Sequence, residues 1–142
     1  MKRTRLIIFS TVTVALVIGV LYMFQSQQPI AQSPNKLEYR DISSKDLNAM
    51  LVNKDFLLIN VHIPYIGEIN GTDLFIPYDK ISESIGKQIP ADKNMKIVVY
   101  CRSGSMSGIA SDELVKNGYT NILNLKEGMI SWEQSGYILV KK

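Results

Sequence analysis

The sequence has one cysteine, Cys101, and one histidine, His62, in 142 residues. A lone cysteine excludes a disulfide scaffold, because no intrachain pair can form. A single Cys and a single His also argue against a zinc-type site, which needs at least three protein ligands. No metal and no cofactor is therefore expected. Acidic residues are missing from the start of the chain, the first being Glu38. Lys2, Arg3 and Arg5 are three of the 16 Lys and Arg residues, so the rest of the chain sets 13 cations against 13 acids. The net charge of +3 is thus the charge of the first five residues. No nucleic-acid partner is expected, since phosphate recognition needs its basic excess on a folded face. Charged residues make up only 20% and hydrophobic ones 46%, which excludes a disordered chain and supports a core. There is no internal repeat.

One long apolar run is present. Leu6 to Phe24 reads LIIFSTVTVALVIGVLYMF, without a charge. As a helix it covers about 28 Å, close to the hydrocarbon thickness of a bilayer. Ser10, Thr11 and Thr13 can return their hydroxyls to the helix backbone, and Tyr22 suits the interface. A cleavable signal peptide is the competing reading, and cleavage would release a secreted domain. It usually has a shorter apolar stretch that ends in small residues, whereas this run ends in Tyr22-Met23-Phe24-Gln25. No cysteine follows the run, so it is not a lipoprotein signal. Residues 1–5 are read as a cytoplasmic basic stub, 6–24 as a transmembrane signal-anchor helix, and 25–36 as a flexible tether. Residues 37–142 form the folded domain. The positive-inside rule keeps the stub in the cytoplasm and sends the domain of this single-pass protein across, to the periplasmic or extracellular side.

Within the domain, strand and helix patterns alternate. Leu37 to Tyr39 is a short strand candidate. Ser43 or Ser44 caps a helix whose apolar face is Leu47, Met50 and Leu51. The continuous runs Phe56–Val61 and Lys96–Tyr100 suit strands covered on both faces. Residues 62–78 are loop-like, and a short helix is expected over 82–88. Ser107 to Asn117 reads as a helix stopped by Gly118, Asn121 to Leu125 as a strand, and Gly128 to Ser135 as a last helix before Gly136. Tyr137 to Val140 can add an edge strand. This alternation predicts an α/β fold, with a central parallel sheet and helices on both faces.

Cys101 falls just after a buried strand and just before a helix, where open parallel sheets place their ligands. Six residues, Cys101 to Met106, turn the chain. The small Ser103, Gly104 and Ser105 let the loop curl with its N–H groups inward, beside the positive end of the helix. Such a nest would hold a thiolate, a persulfide anion or an oxyanion. The bland alternative is a buried cysteine acting as a small hydrophobe. Residue chemistry alone supports an anion-binding thiol and names no reaction.

The stretch Cys101-Arg102-Ser103-Gly104-Ser105-Met106-Ser107 resembles the active-site loop of rhodanese-family sulfurtransferases, Cys-Arg-x-Gly-x-x, often followed by Ser. Two further segments match in order. Leu57 to Val61, then Gly67-Glu68-Ile69-Asn70-Gly71 and Phe75-Ile76-Pro77, resemble the family's strand, Gly-His-Ile-Pro-Gly turn and Ile-Pro segment. Leu125 to Trp132 resembles its Leu-x-Gly-Gly-x-x-x-Trp segment. The resemblance covers nearly all of Leu37 to Val140, and it implies a three-layer rhodanese-like fold. It also implies that Cys101 is a nucleophile that takes the outer sulfur of a donor, thiosulfate or a persulfide, as a cysteine persulfide. A thiol acceptor, such as a protein thiol, or cyanide then removes that sulfur. The N–H groups of Arg102 to Ser107 would stabilise the persulfide anion. Arg102 would bind an anionic donor or tie the loop down by a salt bridge, and an ordinary solvated arginine explains it equally well. Ser103 and Ser105 would add hydroxyl donors or simply fill a tight turn.

Several positions depart from the family pattern. Asn60-Val61-His62 stands where the family has Asp-x-Arg, which removes an ion pair and is expected to loosen the wall of the site. Glu68 and Asn70 replace the turn's histidine and proline. Met106 occupies a place often held by Arg, Lys or Thr, which removes a contact to an anionic donor unless it merely packs. His62 invites a general-base reading, although a structural histidine is commoner at a strand end. Trp132 is expected to pack on the sheet, and Asp73 and Asp79 to be solvated. Phosphatases that share the fold need Cys-x5-Arg, and here Ser107 takes the arginine's place in a loop one residue too short. The remaining rival is a membrane-tethered binding or redox-sensing module in which Cys101 is carried passively or oxidised reversibly.

Overall fold

The computed structural model describes residues 38–141. The stub, anchor and tether expected over 1–36 lie outside these residues. Among the described residues, no helix is long and apolar enough to cross a membrane.

Five strands form the main sheet. In chain order they are β1 (Arg40–Ile42), β2 (Leu57–Asn60), β4 (Leu74–Phe75), β5 (Ile97–Tyr100) and β6 (Ile122–Leu125). Across the sheet the order is β1-β6-β5-β2-β4, with every neighbouring pair parallel. The central register sets Asn60 opposite Tyr100 and Val98 opposite Leu123. Two short strands, β3 (Glu68–Ile69) and β7 (Leu139–Val140), form a separate antiparallel pair. The helices are α1 (Ser44–Val52), α2 (Ile81–Ser84), α3 (Ser105–Lys116) and α4 (Gly128–Gln134).

Period-two alternation along the buried strands divides the core into two layers. Ile59, Val61, Ile97, Val99, Cys101 and Ile122 face α2 and α3, where Ile81, Ala110 and Leu114 meet them. Leu58, Val98, Tyr100, Leu123 and Leu125 face α1 and α4, where Leu47, Met129 and Trp132 meet them. Both sheet faces are covered, which is why β2, β5 and β6 read as unbroken apolar runs. Trp132 packs as expected, and its Nε1–H donates to the Ile138 carbonyl at 3.1 Å.

Two local expectations are corrected. The first strand lies at 40–42, not 37–39, because pairing with β6 in the register Arg40 opposite Leu123 sets its place. β3 and β4 emerge inside the stretch read as loop. Asp73 is exposed as expected but is not without partners: it accepts from the Leu58 N–H at 2.7 Å and pairs with Lys54 at 2.5 Å, which ties β4 to β2.

Candidate active site

β5 delivers Cys101 to the carboxyl end of the central strand, and α3 begins four residues later. The helix starts at Ser105, two residues before its expected start. The turn is made by Gly104, whose φ of 92° is left-handed. As a result only residues 101–104 form the loop, and Ser105 and Met106 belong to the first helical turn. The Gly108 N–H makes the first helical bond, to the Gly104 carbonyl at 2.9 Å. The N–H groups of the first turn, Ser105 to Ser107, therefore have no helical acceptor.

Cys101 lies at the floor of this turn, and the residue is 1% exposed. The Gly104 N–H donates to Sγ at 3.1 Å, and the Ser107 hydroxyl lies 3.5 Å from Sγ and 3.1 Å from the Gly104 carbonyl. Ser107 is fully buried, so its single hydroxyl proton is shared between a carbonyl and the sulfur. Ser103 and Ser105 are exposed and approach each other at 3.3 Å, with no bond to the sulfur. Met106 is half-buried and packs on the α3-side core. Arg102 is exposed and has no carboxylate partner among the described residues, so it does not tie the loop down.

The back of the loop is held by the start of α4. The Met129 N–H donates to the Cys101 carbonyl at 2.9 Å, and the Ile130 N–H to the Arg102 carbonyl at 3.0 Å. With both carbonyls drawn to α4, the N–H side of the turn is left for the sulfur. Contact this close requires glycine: a Cβ on Gly128 would sit 2.2 Å from the Cys101 carbonyl oxygen. The sequence pattern placed Gly128 at a helix start and did not reveal this backstop. The Glu127-Gly128 pair, matching two glycines in the resembling motif, was the available signal.

The segment 60–67 is tied at both ends by Asn60. Asn60 is fully buried; its Nδ2 donates to the Gly67 carbonyl at 3.0 Å, and its Oδ1 accepts from the His62 N–H at 3.0 Å. One neutral side chain thus joins both ends of the loop. The register that sets Asn60 opposite Tyr100 brings Val61 beside Cys101 and His62 level with Arg102. His62 Nδ1 is buried and without a hydrogen-bond partner. Burial first, and the Arg102 guanidinium second, hold its imidazole below the ordinary value of 6.5. Behind Cys101, the Tyr100 hydroxyl accepts from the Ile69 N–H at 3.0 Å and meets Thr72 Oγ1 at 2.7 Å, anchoring β3 to β5. Burial raises the Tyr100 hydroxyl well above its ordinary pKa, so it remains neutral. Among the described residues, no cluster of Cys, His, Asp and Glu is placed to hold a metal.

A cysteine at the carboxyl end of a central parallel strand, with its sulfur met by an N–H of a helix-initiating turn, is a candidate thiol site of an α/β fold. A sequence model of the rhodanese-like domain matches residues 44–135, and the chain belongs to that family. The chain is 34% identical over 103 residues to a sulfurtransferase of Allochromatium vinosum, covering 70% of this chain and 94% of that protein. It is 30% identical over 109 residues to the tRNA uridine(34) hydroxylase of Escherichia coli, covering 73% of this chain but only 31% of that longer protein. A crystal structure of a rhodanese-related protein from Thermoplasma volcanium shares 28% identity, with a TM-score of 0.62, and covers 73% of this chain and 100% of that one.

Proposed function

We propose that the protein is a rhodanese-type sulfurtransferase that carries sulfane sulfur on Cys101. The observation that carries this reading is the 3.1 Å bond from the Gly104 N–H to Cys101 Sγ, in a turn whose carbonyls α4 holds away. In the first half-reaction the Cys101 thiolate attacks the outer sulfur of a donor. The donor's sulfur–sulfur bond breaks, and sulfite or a thiolate departs with the electron pair. In the second, an acceptor thiolate attacks the outer persulfide sulfur and Cys101 leaves as thiolate. No external oxidant or reductant enters. The same N–H groups stabilise the anion in each state, as an oxyanion hole does. The family and its sulfurtransferase relative support this reading. The apolar run at 6–24 supports a further part of the proposal, that the domain is tethered to a membrane on the extracytoplasmic side.

The test is the mass of the Cys101 peptide after the purified protein meets thiosulfate or, separately, a low-molecular-weight persulfide. The expected result is a gain of one sulfur that a thiol then removes and that Cys101→Ser abolishes. No gain with either donor overturns sulfur transfer in favour of a binding or redox-sensing module.

A further inference from the structure

Two side-chain atoms buried beneath α3, Ser111 Oγ and Asn124 Oδ1, have no hydrogen-bond partner among the described residues. Ser111 is fully buried and Asn124 is 5% exposed. Buried polar atoms left unmet are rare and costly, so each asks for a partner. The Asn124 amide cannot turn to bring its oxygen out. Its Nδ2 donates to the Asp41 carboxylate at 2.8 Å, and a carboxylate accepts but does not donate, so Oδ1 stays on the buried side. Face, level and flank bring the two atoms together. Asn124 lies on the α3 face of the sheet, because its neighbours Leu123 and Leu125 belong to the opposite layer and Ile122 to the α3 layer. Ser111 belongs to the stripe Ser107, Ala110, Ser111 and Leu114 that α3 buries where it packs on β5 and β6. Ser107 meets Cys101 Sγ; one helical turn back down the sheet stands Ser111, and two residues back along β5 stands Val99, which pairs with Asn124. The flank is fixed by Tyr39, which precedes β1, the neighbour of β6. Its hydroxyl lies 3.4 Å from where a Cβ on Gly108 would stand, and Ser111, three residues after Gly108, shares that side of the helix.

We propose that Ser111 and Asn124 form the binding site of one buried water between α3 and β6. The water donates to Asn124 Oδ1 and bonds the Ser111 hydroxyl, and the small Gly108 and Ser111 leave it room on that flank. A polar recess with two or more partners is the kind of place an internal water takes. It braces α3 against β6 one turn beyond Ser107, the residue whose hydroxyl reaches Cys101. The site does not depend on sulfur transfer.

Ser111→Ala in the full-length protein separates the readings by sign. Removing an unpaired buried hydroxyl, in favour of a better helix former, raises the urea midpoint. Removing a hydroxyl that water joins to Asn124 lowers it, because the water and Oδ1 lose a partner. The expected result is a lower midpoint, and a rise or no change overturns the site. In an Asn124→Leu background the bridge has lost its other end, so Ser111→Ala should no longer lower the midpoint. An equal drop in both backgrounds shows that the two residues are not joined and overturns the site. A crystal structure of the unaltered protein, at a resolution that shows ordered water, needs no variant to fold. It should place one water within hydrogen-bonding distance of both Ser111 Oγ and Asn124 Oδ1. A dry gap there, or a Ser111 hydroxyl bonded to the Ser107 carbonyl instead, overturns the proposal whatever the midpoints.

Discussion

His62 and Asn60 show how neutral residues can hold a place that a charged pair occupies in the resembling pattern. Asn60 meets both of its partners with one amide, donating to Gly67 and accepting from His62. Asn60→Asp keeps the acceptor and loses the donor, leaving a carboxylate against a carbonyl in a dry site. Chemical denaturation should show a loss of about 1–3 kcal/mol. Adding His62→Arg supplies a cation beside that carboxylate and should restore part of the loss. Strict additivity of the two changes would show that they do not interact. His62 itself makes stability depend on pH. Its folded-state value lies below the ordinary 6.5, so the unfolded chain takes up the proton first. The contribution of the neutral ring is present above that value and is lost as pH falls through the folded one. Urea midpoints of the protein and His62→Gln, compared at about pH 7.5 and about pH 5, should show the native protein losing ground to the variant on acidification. A constant gap would remove His62 from the account.

At the scale of elements, the site is a joint between three segments: the end of β5, the first turn of α3 and the start of α4. Gly128→Ala tests the joint. Its Cβ would fall 2.2 Å from the Cys101 carbonyl oxygen and 2.7 Å from the Arg102 carbonyl carbon, so α4 must move back. We expect a loss of about 2–4 kcal/mol, together with slower sulfur loading of Cys101. Loss of stability with unchanged loading would show that α4 supports the fold but not the sulfur. This joint also marks where the sequence stops being legible. β2, β5 and β6 could be read because both faces of each are buried, leaving no polar residue to break the run except Asn60 and Asn124. β1 could not, since only Ile42 of its three residues is buried and pairing alone places it. β3 and β4, at two residues each, are too short for any period to show. The turn after Cys101 was legible as a strand-to-helix junction because its residues are contiguous. The hold of Met129 and Ile130 on its carbonyls was not, since it joins segments more than twenty residues apart. The left-handed turn at Gly104, which starts α3 two residues early, is likewise a backbone property with no pattern of its own.

At the scale of the whole molecule, charge and chemistry are carried by different parts of the chain. The balanced domain holds the thiol site, and the three cations at the start precede the apolar run. The proposed tether follows from that division and makes two demands on the full-length protein. It must stay with membranes through an alkaline wash, as a spanning segment does and a peripheral domain does not. It must also expose the domain on the side opposite Lys2, Arg3 and Arg5. When the full chain is expressed in a bacterium, protease added to spheroplasts should degrade the domain while cytoplasmic markers survive. Replacing Lys2, Arg3 and Arg5 together with Gln should weaken the orientation signal and protect a fraction of the domain. Release by the alkaline wash with the mature chain beginning after residue 24 would instead show a cleaved signal and a secreted domain. Full protection in spheroplasts would reverse the topology. In that case the lone thiol would sit in a reducing compartment; on the proposed side, it depends on another molecule to keep Cys101 reduced or persulfidated, because the chain supplies no second cysteine.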